Sequence, residues 1–183
     1  MLSILRATAV AFAGLALMPG LAPQFAWAHS IADPSEGTAG GYLRTAFRVT
    51  HGCKGSPTTA VTIRIPEGVL SAKPMPKAGW TIETKTRPLD PPVDSGHGFK
   101  IREAVTEVTW TGGRLENAHF DEFVLSMRLP DMPGATLYFP MVQTCEKGSN
   151  NWTGIPAAGQ KWGDLPEPAP FVTLKKAGGG HAH

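Results

Sequence analysis

The chain is poor in cysteine, with two, poor in tyrosine, with two, and has almost no excess of one charge: 17 Lys and Arg stand against 15 Asp and Glu. So balanced a surface carries no footprint for nucleic acid or for an anionic membrane, and both partner classes are excluded. After residue 18 there is no second long apolar run, so nothing downstream of the first residues predicts a stable membrane span. Convincing amphipathic helices and internal repeats are also missing. What the chain has in quantity is proline and glycine, 17 and 21 residues, which break helices and punctuate strands.

The long apolar run lies at the start. Arg6 is the sole charge before ATAVAFAGLALM at 7–18, which a Pro-Gly break separates from Ala26-Trp27-Ala28. A short basic region, an apolar stretch too short for an anchor and small residues flanking a cleavage point define a secretory signal peptide over residues 1–28. Cleavage after Ala28 makes His29 the amino terminus, leaving about 155 residues, the size of one domain with a real core. The predicted location is periplasmic or otherwise exported.

In an exported chain an even cysteine count reads first as a disulfide, here Cys53 with Cys145. The rival is a copper thiolate site using His51, two residues before Cys53. Electron-carrying copper sites gather Cys, His and usually a weak Met ligand, and EKGSNNWTGIP after Cys145 offers neither His nor Met.

Apolar residues recur at every second position: Val61, Ile63 and Ile65; Phe123, Leu125, Met127 and Leu129; Leu137, Phe139 and Met141. That period predicts strands with one buried face. Further strands are expected at 42–50, 80–85, 105–111 and 171–174, separated by turns such as KPMPKAGW, RPLDPPVDSGHG and WTGGRL. About seven short strands in one exported domain predict an all-β fold, an antiparallel immunoglobulin-like β-sandwich. The stretch after Trp152 reads as an extended wrap, and residues 175–183, ending GGGHAH, as a flexible tail.

Cleavage at Ala28 also has a chemical consequence. It converts the backbone nitrogen of His29 from an amide into an amine with a reference pKa near 7.7–8.0. The amine and Nδ1 of one imidazole can then close a six-membered chelate ring, a donor pair that suits Cu(II).

From His29 the chain reads H-S-I-A-D-P-S-E-G-T-A-G-G-Y, then FRVTHGCKGSPTTAVTIRIPEGV, PMPKAGWTIET, VTEVTWTGG, DEFVLSMRLPD, LYFPMVQTCEKGSNNW and PAPFVTL. In this order the segments resemble the bacterial YcnI-like copper-binding domain family over residues 29–174, the HGC-x-GSPTT and LYFP-x-VQ-x-C blocks being specific. The resemblance implies an exported β-sandwich that binds Cu(II) through its amino-terminal histidine, a monohistidine brace completed by a carboxylate with a tryptophan close by. It implies a role in copper trafficking or homeostasis, with an exported copper chaperone or a membrane copper transporter as partner. Carried over by position, the brace histidine is His29 and the tryptophan Trp152. For the carboxylate, Glu36, seven residues beyond His29, comes first and Glu146, six before Trp152, second. Some relatives continue into a membrane anchor or a second copper-binding domain, whereas this chain runs on to KKAGGGHAH.

Trp80 and Trp110 fall on expected strands and are predicted buried, while Trp162 is expected to pack down as a clamp. His51, His97 and His119 are expected in solvent-facing loops, and His181 and His183 in the tail. Binding of this kind needs no general acid, base or nucleophile, so the chain is expected not to be an enzyme. Two alternatives stand beside it: a copper-dependent oxidative enzyme adding His51 or His119 to the amino-terminal His, and a metal-free β-sandwich that recognises a partner through its loops.

Overall fold

The period-two pattern becomes two facing sheets. The computed structural model describes residues 29–96 and 98–178. The expected signal peptide, His97 and the tail histidines His181 and His183 lie outside the described residues. Among the described residues there are twelve strands, and the only helical turn is a 3-10 turn at Trp162–Asp164. No helix of the described residues is long and apolar enough to cross a membrane.

One sheet has the order β1 (Ala32–Asp33), β3 (Tyr42–Val49), β8 (Asp121–Arg128), β5 (Ser71–Pro74). The other runs β11 (Ser149–Trp152), β10 (Met141–Cys145), β4 (Thr58–Arg64), β7 (Lys100–Leu115), β6 (Thr81–Asp94). A small third sheet places β12 (Phe171–Lys175) between β2 (Glu36–Thr38) and β9 (Thr136–Tyr138). Every pairing is antiparallel except that of β12 with β2.

The alternating residues meet between the sheets. Phe47, Phe123, Leu125 and Met127 come from one side, and Val61, Ile63, Val108, Trp110 and Met141 from the other, all inaccessible to solvent. Trp110 and Trp80 both set ring edges on Phe123, at 5.5 and 5.1 Å between centroids, an arrangement aromatic quadrupoles favour. Trp110 is buried as expected and donates its indole N–H to the Met75 carbonyl at 3.3 Å, whereas Trp80 is half-buried. Gly113 makes room for Trp80, since a Cβ there would stand 2.1 Å from the indole.

Two stretches differ from expectation for a common reason. RPLDPPVDSGHG, read as a turn, supplies the second half of β6, and SNNW, which no expected strand covered, becomes β11. Both strands lie at the edges of their sheet. An edge strand makes hydrogen bonds on one side only, so it accepts proline and polar residues that an inner strand cannot. The run expected as one strand from Leu137 to Met141 is instead two, β9 and β10, divided at Phe139-Pro140 and belonging to different sheets.

Cys53 and Cys145 form the expected disulfide. It joins the loop after β3 to the end of β10. Both positions lie within two residues of side chains that build the site described next.

Candidate functional site

The first described residues are strapped along β3. Ala32 pairs with Phe47, the Arg48 amide donates to the Ile31 carbonyl at 3.1 Å, and the buried Ser30 hydroxyl donates to the Arg48 carbonyl at 2.7 Å. Ser30 is small and polar, so it can sit under the sheet edge with its hydroxyl satisfied. This strap carries half-buried His29 to the end of the sandwich where β11 finishes.

There His29 lies edge-on to two indoles. Its ring centroid is 6.4 Å from Trp152 and 5.1 Å from Trp162, with interplanar angles of 75° and 82°. Trp152 closes β11 opposite Met141 and is buried. Trp162 stands on the 3-10 turn, where its indole N–H donates to the Ala169 carbonyl at 2.7 Å and its ring packs on Phe171 at 5.5 Å. The wrap carrying Trp162 is closed on itself: Gly154 bonds the Glu167 carbonyl at 2.9 Å, and Ala169 bonds back to Gly154 at 2.8 Å.

His51 lies on the same tryptophan. Its ring is 6.2 Å from Trp152, inclined at 71°, and it is half-buried. The solvent-facing position expected for His51 is therefore replaced by one against an indole, whereas His119 is exposed as expected. The loop that delivers His51 is tightly held. A Cβ on Gly52 would stand 2.0 Å from the Ser56 carbonyl oxygen, which accepts a hydrogen bond from the Cys53 amide at 3.0 Å. Gly52→Ala must therefore push the Cys53–Ser56 turn open. The expected loss is about 2 kcal/mol, within the range for overpacking against backbone, and an unchanged denaturation midpoint would contradict it.

Beneath the cluster sits Gln143, 1% exposed and saturated. Its carbonyl oxygen accepts from the Trp152 indole N–H at 3.3 Å and the Asn150 amide at 3.1 Å. Its amide donates to the His51 carbonyl and the Thr58 hydroxyl, each at 2.7 Å. One side chain thus fixes both the indole and the backbone of His51. Sequence reasoning passed over it, although a signal exists: Gln143 is the polar member of an inward-facing series with Met141 and Cys145.

Of the residues singled out from sequence, the fold brings His29 and Trp152 together. The two carboxylates lie in ion pairs elsewhere. Glu36, on β2, meets Lys175 of β12 at 2.8 Å. Glu146 accepts from Arg114 at 2.8 Å, and this hydrogen bond, reinforced by the guanidinium charge, holds its carboxyl below the ordinary range, hence ionised at neutral pH. No cluster of three or more His, Cys, Asp and Glu able to hold a metal occurs among the described residues. A chelate formed by the amine and ring of one histidine needs no such cluster, because one residue provides both donors.

Fold and site together define an immunoglobulin-like β-sandwich, closed by one disulfide, with a histidine walled by tryptophans at one end. The chain belongs to the family of the domain of unknown function DUF1775, the YcnI-like domain, which it matches over residues 29–174. Among solved structures it is similar to an uncharacterized protein from Nocardia farcinica with an immunoglobulin-like fold, at 30% identity and a TM-score of 0.59, over 80% of this chain and 98% of that one. No curated protein matches the chain.

Proposed function

We propose that the chain, exported and processed to begin at His29, binds Cu(II) there and acts in copper trafficking or homeostasis without catalysing a reaction. The His29 amine and Nδ1 grip the ion, a carboxylate, Glu36 or Glu146, partly neutralises it, and Trp152 covers it. The observation that carries this reading is the enclosure of His29 between Trp152 and Trp162. Two indoles at a polar, metal-competent residue limit water and leave a defined open face for a donor or acceptor of copper, such as an exported chaperone or a membrane transporter. Either carboxylate would leave an ion pair to join the site. Both pairs are exposed and screened by solvent, so giving one up costs little. Reduction favours release, since Cu(I) prefers softer donors than nitrogen and oxygen.

The test is a Cu(II) titration of the chain starting at His29 beside one carrying an extra residue before it. Saturation at one equivalent, with indole quenching and a nitrogen-rich electron paramagnetic resonance spectrum, is expected for the first and lost in the second. Equal weak binding by both would overturn the proposal and favour a metal-free interaction module.

A second reading, a copper-dependent oxidative enzyme, gains weight from one observation, the contact of His51 with Trp152. Turnover with reductant and peroxide would establish it, and its absence alongside tight binding keeps the transport reading.

A further inference from the structure

We infer that the chain holds a second ligand site, a groove that takes a short peptide with apolar side chains and free charged ends. The inference does not depend on the copper reading. The groove encloses about 430 Å³, inside the range of about 300–1,000 Å³ typical of small-ligand sites. It lies at the far end of the sandwich from His29. Tyr42, which opens β3, lines it, whereas the strap that carries His29 pairs near the other end of that strand, at Phe47 and Arg48. At the rise of an extended chain, the two places are about 20 Å apart along the sheet.

The groove exists because strands that face each other differ in length. β7 has 16 residues, while β5, at the edge of the opposite sheet, has 4. Along the face of β7 that lines the groove, Val105 still packs on the core, Ile101 is half-buried, and Phe99, just before the strand, is 60% exposed. From the other sheet comes Tyr42, 64% exposed. Both aromatics have a fixed backbone. The Ser95 amide donates to the Phe99 carbonyl at 3.0 Å, the Phe99 amide donates to the Ser95 hydroxyl at 3.4 Å, and Tyr42 pairs with Arg128 of β8.

The charges select the ligand. Lys73 and Arg128 line the groove from one sheet and Glu103 from the other, and none of the three has an ion-pair partner among the described residues. Arg128 is held between Tyr42 of β3 and Ser71 of β5, and its Nη1 donates to the Ser95 carbonyl. The rest of its guanidinium can still donate to a carboxylate. Two cations and one carboxylate in a single groove match a ligand that carries both signs. A peptide with free ends sets its carboxylate at Arg128 and Lys73, its ammonium at Glu103, and its side chains on Phe99, Ile101 and Tyr42. A fatty acid leaves Glu103 unmatched and meets its repulsion. A long peptide added as a further strand fits poorly too, because β5 is short and Pro74 has no N–H for a ladder.

The test is calorimetric titration of the chain starting at His29 with the peptides Phe-Leu and Phe-Ala-Leu, each also with its amine acetylated or its carboxylate amidated. Saturation at one equivalent is expected for a free peptide, weakened at least about tenfold by either cap, the worth of one hydrogen bond to a charged group. Phe99→Ala and Lys73→Ala, both at exposed positions, should weaken binding without disturbing the fold. Glu103→Gln should remove the penalty of acetylation and keep that of amidation. Decanoate binding as tightly as the free peptides, or equal binding of free and capped peptides, overturns the assignment of the ligand. Absence of saturable binding by both free peptides overturns the site, and neither result touches the His29 reading.

Discussion

Replacing Cys53 and Cys145 together by serine is expected to lower the free energy of unfolding by about 3–4 kcal/mol. The bridged residues are 92 positions apart, so the bond removes a long loop's freedom from the unfolded chain. The chain-entropy relation gives about 4–5 kcal/mol for a loop of this size, a ceiling that bridges commonly fall short of. Serine adds a cost of its own, because both sites are buried, at 4% and 6% exposure, and two hydroxyls must find partners there. Urea denaturation of the oxidised protein, the reduced protein and the double variant measures the effect. A midpoint shared by all three would mean that the unfolded chain is already compact. The loss should reach the site as well: the disulfide ties the His51 loop to the strand that carries Gln143, so His51 and Trp152 should separate before the core melts.

Gln143→Leu is the second large effect. Leucine fills nearly the same space, so packing changes little, and the cost comes from what Gln143 leaves behind. The indole N–H of Trp152, 5% exposed, loses its partner, and the Thr58 hydroxyl, inaccessible to solvent, is left with only the weak contact to the Cys145 sulfur at 3.8 Å. The His51 carbonyl and the Asn150 amide also lose theirs, but these half-buried residues can turn towards water. With about 1–3 kcal/mol for each buried group left unpaired, the expected destabilisation is about 3 kcal/mol. Indole emission should also shift as Trp152 loses its fixed orientation. A loss below about 0.5 kcal/mol, the level of a neutral surface change, would show that packing alone places the ring.

Strands that bury one face announced themselves through their alternation. Val61 and Ile63 in β4, and Phe123, Leu125 and Met127 in β8, occupy the inward positions expected of them. The strands that escaped notice are short or peripheral. In β11 the sequence SNNW has no apolar period, because what makes it a strand is the backbone ladder to β10 rather than burial of alternate side chains. In β6 the prolines at 88, 91 and 92 speak against any inner strand, and the chain resolves this by placing β6 at an edge with a register shift between Pro88 and Val93.

The site was legible in part for a comparable reason. His29 was singled out by the cleavage site expected after Ala28, and Trp152 by the family resemblance. Trp162 was expected to clamp the wrap, and it does so against Phe171, but nothing local linked it to His29. His51 sits in a Gly-Ser-Pro-rich loop whose composition resembles any exposed turn. Its approach to Trp152 arises from a disulfide and a glutamine, both closed over long distances in the chain.

The pairing of β12 with β2 sets an order of events in time. Thr173 donates to the Ser35 carbonyl at 2.9 Å, and Phe171, at the start of that strand, supports Trp162 against His29. A ribosome delivers His29 and Ser35 well before residues 162–175. The enclosure around His29 is therefore finished only when β12 arrives, and a nascent chain, or one truncated before Trp162, presents His29 with one wall missing.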